Sequence, residues 1–156
     1  MKWVKSRKLL GLPVIQEGLG EVIGRVADIV IDSGFQVEAL MVDSRGGKCR
    51  LDMDDLTIGQ EAVLVKDLAS LKKADGGKDS IKATQRLGML VLDYDGRELG
   101  IMSDLVVEPE SKEVQGIEIS SGLIKDFIDG RDEISLDNVV SVGQEAVIIQ
   151  GEEEIL

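Results

Sequence analysis

The sequence predicts an all-β protein: two small β-barrels in tandem, joined by a short helix and linker. Three observations carry this. The phrase IGQEAVLV, residues 58–65, returns as VGQEAVII, residues 142–149. The segments around each copy are short, rich in Val and Ile, and bounded by Gly, Asp and Asn, which is strand and turn composition. Glycines stand at matching places inside the longest predicted strands, at Gly24 and Gly100. A glycine inside a strand marks a bulge, a bend or a close backbone approach.

The repeat reaches well beyond its most visible phrase. LLGLPVI (9–15) aligns with RLGMLVL (86–92) at a shift of 77, and GEVIGRVADIVID (20–32) with GRELGIMSDLVVE (96–108) at 76. VEALMVD (37–43) aligns with VQGIEIS (114–120), again at 77. LDMDDLTIG (51–59) aligns with ISLDNVVSVG (134–143), where the second copy carries one extra residue, and the closing phrases differ by 84. The shift changes only where turns are expected. Loops tolerate insertions and strands do not, so this is the mark of two copies of one fold.

Within each copy, Asp95–Gly96 is a hairpin signal. The inward set of the long second strand reads Val26, Ile29, Ile31 and its echo reads Met102, Leu105, Val107. A spacing of three and then two breaks strict alternation and predicts a β-bulge near Ala27–Asp28 and near Ser103–Asp104. Leu40 with Val42, and Ile117 with Ile119, supply one buried face at period two. Short, bent strands suit a small closed barrel, which removes exposed edges. KDLASLKKA (66–74) places Leu68 and Leu71 at helical spacing with Lys72 and Lys73 in the last turn, and predicts a short helix. The expected organisation is a first barrel over 1–65, helix and linker over 66–83, a second barrel over 84–150 and an acidic tail over 151–156.

The chain has 156 residues, 43% apolar but only 3% aromatic, so the core is aliphatic. Two lobes of about 75 residues are each marginal alone, and they are expected to pack together. The net charge of −12 is unevenly placed. Residues 1–77 carry 11 Lys/Arg against 12 Asp/Glu, while residues 78–156 carry 7 against 18. The second half repels phosphate backbones, so no nucleic-acid partner is expected. That acidic half reads either as a solvated face or as a docking surface for a basic partner. The basic cluster Lys2, Lys5, Arg7 and Lys8 reads as a solvated terminus rather than a nucleic-acid arm. No apolar run reaches membrane length, so neither membrane insertion nor a signal peptide is expected. The single Cys49 cannot form an internal disulfide, which fits a cytoplasmic location.

With these residues in place, each copy resembles the PRC-barrel domain, and the chain resembles tandem bacterial PRC-barrel proteins. The shared pattern is a leading L-G-x-x-V, a turn, then G-x-V-x-D and aliphatics. Here it is Leu10–Gly11 with Val14, then Gly24, Val26 and Asp28. The second copy has Leu87–Gly88 with Val91, then Gly100, Met102 and Asp104. The resemblance implies a small six-stranded barrel that binds other macromolecules, mainly proteins, and it brings no catalytic residues and no cofactor. Relatives occur in the ribosome maturation factor and in the reaction centre H subunit. The chain departs from the first by lacking an extra N-terminal barrel and from the second by lacking a membrane helix, so neither role carries over.

Little else in the sequence points to chemistry. There is no His, which removes the commonest general base and metal ligand and any Ser–His or Cys–His pair. Cys49 lies between Lys48 and Arg50, but strand neighbours point to opposite faces, and it reads as an incidental thiol. Asp52, Asp54 and Asp55 fail the calcium-loop pattern by the fourth residue. Asp28 and Asp104 recur inside apolar strands, and each is expected to accept backbone N–H bonds at its bulge. The insertion SGLIKDFIDGRDE (121–133) places Leu123, Ile124, Phe127 and Ile128 at helical spacing. It reads as a lid over the barrel end or lobe interface, or as an anchor for a protein partner or a second subunit in a homodimer. The expected function is a non-enzymatic adaptor or assembly module. The alternative is a regulatory protein that binds a small molecule or metal in the cleft between lobes.

Overall fold

A computed structural model describes residues 3–32, 34–74, 81–122, 132–143 and 145–150. The fold is mostly β and holds two lobes, one from each copy of the repeat. The first lobe's sheet runs through β2 (Pro13–Gln16), β3 (Glu21–Ile31), β4 (Val37–Ser44), β5 (Gly47–Asp52), β6 (Leu56–Ile58), β7 (Val63–Val65) and β8 (Leu71–Lys73) in the order β6-β7-β2-β3-β4-β5-β8. The second runs through β10 (Leu90–Leu92), β11 (Glu98–Glu108), β12 (Glu113–Ser120), β13 (Asp132–Ser135), β14 (Val139–Val142) and β15 (Ala146–Ile149) in the order β13-β12-β11-β10-β15-β14.

The duplicated phrase supplies the same hairpin twice. Ile58 pairs with Val63 and Val142 with Val147. The Gly59 and Gly143 N–H groups each donate to the carbonyl of the alanine three residues on, at 2.9 Å. The closing strand then lies parallel to the first strand of its own copy, Val63 beside Val14 and Val147 beside Val91. The extra residue of the second copy is accommodated at Val140, where the β14–β15 register shifts and the side chain stands exposed.

The long strands bend where the spacing predicts. Register shifts fall between Val26 and Asp28, and between Met102 and Asp104. Val26, Ile29 and Ile31, like Met102, Leu105 and Val107, are buried. Just before each bulge the facing strand comes so close that only glycine fits. A Cβ on Gly24 would sit 2.5 Å from the Asp43 carbonyl oxygen, and one on Gly100 would fall well inside 3.0 Å of the Ser120 carbonyl oxygen. The buried aliphatics of both copies form one continuous core, from Val14 and Leu40 through Leu105 and Ile117 to Val147.

One sequence expectation is corrected. The helix expected over KDLASLKKA is a single 3-10 turn, Leu68–Ser70, followed by strand β8, in which Leu71, Lys72 and Lys73 pair with Leu51, Arg50 and Cys49. The edge of β5 would otherwise leave backbone groups unpaired, and that ladder outweighs a weak helical pattern. The two small barrel-like lobes expected from the sequence are present as strongly bent sheets, and short covering strands extend them.

The covering strands reveal an arrangement absent from the repeat alignment. Strand β1 (Val4–Lys5) does not join the first lobe. It pairs with β11 of the second, Val4 beside Val107 and Lys5 beside Val106. Strand β9 (Ile81–Lys82) pairs with β3 of the first lobe, Ile81 beside Ile31 and Lys82 beside Val30. A one-turn helix follows each, α1 (Ser6–Leu9) and α2 (Ala83–Arg86), and the chain then re-enters its own copy at β2 or β10. Each copy thus lends its leading segment to the other.

Candidate functional site

Asp28 and Asp104 stand at the two crossing points. Each accepts the N–H of the residue after it, Ile29 or Leu105, at 2.8 Å. Each also receives the start of the helix that the other copy lends. Asp104 accepts from the Ser6 hydroxyl and from the Arg7 N–H at 3.3 Å. Asp28 accepts from the Thr84 hydroxyl at 2.5 Å and the Thr84 N–H at 3.4 Å. A carboxylate at a helix start satisfies donors that have no partner within the helix, so each aspartate works as a cap supplied from across the lobe boundary.

The two crossings differ in charge. In the second lobe the Arg7 guanidinium reaches Asp104 at 3.1 Å and Glu118 at 3.0 Å, while the Lys5 ammonium pairs with Glu118 and lies 3.7 Å from Glu133. Ser103 adds a 2.7 Å hydroxyl bond to Glu118. Asp104 and Glu118 are buried, so cations and hydroxyls are needed to offset their lost hydration. In the first lobe the residue facing Asp28 is Met41, packed with Val30 and Ala39 in a small apolar cluster. The reading of Lys5 and Arg7 as part of a solvated terminus is therefore corrected. A buried carboxylate on β12 requires a cationic cover, and β1 with α1 brings it.

Other charged groups also bond within the fold. Asp52 accepts from Lys72 at 2.7 Å and from Arg50 at 2.9 Å. The Lys72 bond, with Arg50 second, holds the Asp52 carboxyl below the usual carboxylate range. Asp52 in turn raises the Arg50 guanidinium and the Lys72 ammonium. Lys112 crosses the lobe boundary and donates to the Met53 carbonyl at 2.7 Å. Beside it an open cleft of about 410 Å³ is lined by Glu17, Asp54, Asp55 and Lys66 of the first lobe and by Lys112 of the second. Among the described residues no group of three or more His, Cys, Asp or Glu is placed to hold a metal ion, and no helix is long and apolar enough to cross a membrane. Cys49 is partly buried, with the Ser44 hydroxyl 3.5 Å from its sulfur.

The outer flank of the second lobe differs from its counterpart. Leu51, Met53, Leu56 and Ile58 are buried in the first lobe. Their equivalents Ile134, Leu136, Val139 and Val142 are only partly buried against the core. The candidate partner anchors Leu123, Ile124, Phe127 and Ile128 lie outside the described residues.

Two small, bent-sheet lobes with exchanged leading segments define a tandem barrel protein whose buried charges hold the two copies together. The PRC-barrel domain family matches residues 1–72 and 78–156, and the chain belongs to that family. Among solved structures, the chain is similar to a Pseudomonas aeruginosa protein named as a 16S ribosomal RNA processing protein, RimM. The overlay has 13% identity and a TM-score of 0.33, and covers 86% of this chain and 98% of that one. No curated protein matches the chain.

Proposed function

We infer that this chain is a non-enzymatic cytoplasmic adaptor or assembly module that works by binding another protein. One observation supports this reading above the rest. The second lobe leaves only partly buried the aliphatic positions that the first lobe buries, with exposed Glu133 and Asp137 next to them in the chain. An apolar centre with a charged rim is the anatomy of a protein-binding surface. The buried carboxylates Asp104 and Glu118 already have intramolecular partners, so they serve assembly of the fold. The insertion with Leu123, Ile124, Phe127 and Ile128 is a further candidate anchor, for a partner or for a second copy. The test is affinity capture from host lysate with mass spectrometry, comparing the native chain with Phe127→Ala. A stoichiometric protein lost in the variant while its melting midpoint holds supports the reading. No retained protein, together with turnover of a small substrate, sinks it.

A second reading has the cleft beside Lys112 binding a small ligand. The opposed carboxylates and ammonium groups there favour it. A bound ligand raises the melting midpoint by mass action, so a thermal-shift screen of metals and metabolites separates the two.

A further inference from the structure

The first lobe contains a template for the outer edge of β13 in the second. Strands β5 and β13 are equivalent: Leu51 sits opposite Leu40 as Ile134 sits opposite Ile117, and Arg50 opposite Met41 as Glu133 opposite Glu118. The outer edge of β5 is covered by β8, antiparallel, with Leu71 opposite Leu51 and Lys72 opposite Arg50. Leu71 packs on the core, and Lys72 reaches Asp52 on the outer face. Among the described residues no strand pairs with the outer edge of β13.

An uncovered edge offers a ladder of N–H and C=O groups to any extended segment. Strand addition at such an edge takes its affinity from the ladder and its selectivity from alternate side chains. Transferring the β5–β8 register to β13 specifies those side chains. The residue opposite Ile134 faces the half-buried apolar flank and must be aliphatic. The residue opposite Glu133 meets a carboxylate that is 52% exposed. In the first lobe Lys72 faces Arg50 and needs Asp52 between them. In the second, a Lys or Arg would share Glu133 with Lys5, which lies 3.7 Å from it.

We propose that the outer edge of β13 is a docking site for an extended basic segment of a partner protein, bound antiparallel with an aliphatic residue opposite Ile134 and a Lys or Arg opposite Glu133. Charge complementarity selects this occupant. Residues 78–156 carry 18 Asp/Glu against 7 Lys/Arg. The chain's own last residues, Glu152-Glu153-Glu154-Ile155-Leu156, would bring further carboxylates to the edge. The proposal rests on the adaptor reading and supplies the chemistry of the partner.

The chain's own β8 sequence is the natural probe. A labelled peptide with the sequence of residues 67–74, DLASLKKA, is titrated into the 156-residue chain by fluorescence anisotropy. Saturable binding is expected. It should weaken about fivefold or more in Glu133→Lys, less in Glu133→Gln, and similarly when both peptide lysines become glutamate, since reversing one rim charge removes an attraction and adds a repulsion. Binding that ignores both Glu133 substitutions overturns the site and assigns the peptide to β5. Binding seen only in the variant Ile155→Asp/Leu156→Asp overturns it in favour of residues 151–156 as the occupant. No binding in any variant overturns it as well. If a stoichiometric host protein is still captured in that case, the adaptor reading stands and only the edge is lost.

Discussion

The Ser6 hydroxyl donates to the Asp104 carboxylate across 98 residues of chain, joining the first turn of one copy to the bulge of the other. The reverse crossing, Thr84 on Asp28, spans 56 residues in the opposite direction. Arg7 and Thr84 are equivalent under the internal repeat, and their N–H groups make the same contact, on Asp104 and on Asp28, so the lobes are related as partners that have exchanged their leading segments. The charges at the crossings make the exchange specific. Arg7 and Lys5 fall on Asp104 and Glu118. Had each segment stayed at home, Arg7 would meet Met41, and buried Glu118 would be offered Thr84 in its place. A mispaired state that leaves a buried carboxylate without its cation is disfavoured.

Exchange predicts that the two halves hold together without a covalent link. A protease recognition sequence inserted between Gly76 and Gly77 and then cut should yield fragments that co-elute on size exclusion in buffer and separate only in denaturant. Each fragment keeps the segment that clasps the other. Fragments that part spontaneously would show that the β1–β11 and β9–β3 pairings contribute little.

The two capping aspartates are expected to differ in weight. Asp28→Ala removes acceptors for Ile29 and Thr84 at a partly exposed site and should destabilise by roughly 1–3 kcal/mol. Asp104→Ala removes a fully buried carboxylate bonded to Ser6, Arg7 and Leu105. It should cost about 3 kcal/mol, the low end for breaking a buried ion pair, because Arg7 keeps access to water and to Glu118. Urea unfolding of both variants checks the order, and equal midpoints would contradict it.

Gly100 tests the close approach of the strands. Its φ is +147°, and a side chain there would press on the Ser120 carbonyl and on Ile119. Gly100→Ala should therefore cost about 1–3 kcal/mol, the range for overpacking against a backbone that cannot move away. Gly18 has nothing within 4 Å of a built Cβ, and Gly18→Ala should stay within about 0.5 kcal/mol. Thermal midpoints measured side by side decide it.

The repeat made the lobes legible because hydrophobic period, turn glycines and loop-confined insertions all agree. The bulges at Asp28 and Asp104 were readable from the broken alternation of Val26, Ile29 and Ile31. The exchange was not, because a repeat alignment says which segments are alike and not which copy each one covers. A signal was present all the same. Val4-Lys5-Ser6-Arg7 echoes Ile81-Lys82-Ala83-Thr84 at the same shift of 77, so the repeat begins before Leu9. Glu118, set between Ile117 and Ile119, stands where Met41 stands in the first copy, and a carboxylate there requires a cationic neighbour. Strand β8 was misread because Leu68 and Leu71 fit a helix and only the uncovered edge of β5 decides otherwise. The flank around Ile134 was invisible in sequence, since its residues are as apolar as their buried equivalents.

Strand β8 is held partly by charge, and that part should titrate. The bonds from Lys72 and Arg50 lower the Asp52 carboxyl, so the unfolded chain binds its proton more readily than the folded one. The resulting stability is fully present above the ordinary aspartate value of about 3.9 and is lost as pH falls through the lower folded value. Asp52→Asn removes it at every pH. The variant should therefore be less stable than the native chain at neutral pH, by under about 1 kcal/mol because the pair is near the surface and screened by solvent. The two melting curves should converge below the folded Asp52 value. Raising the ionic strength should narrow the neutral-pH gap, as expected for exposed charges. A gap that persists unchanged to strong acid would assign the loss to altered packing of β8 rather than to the carboxylate.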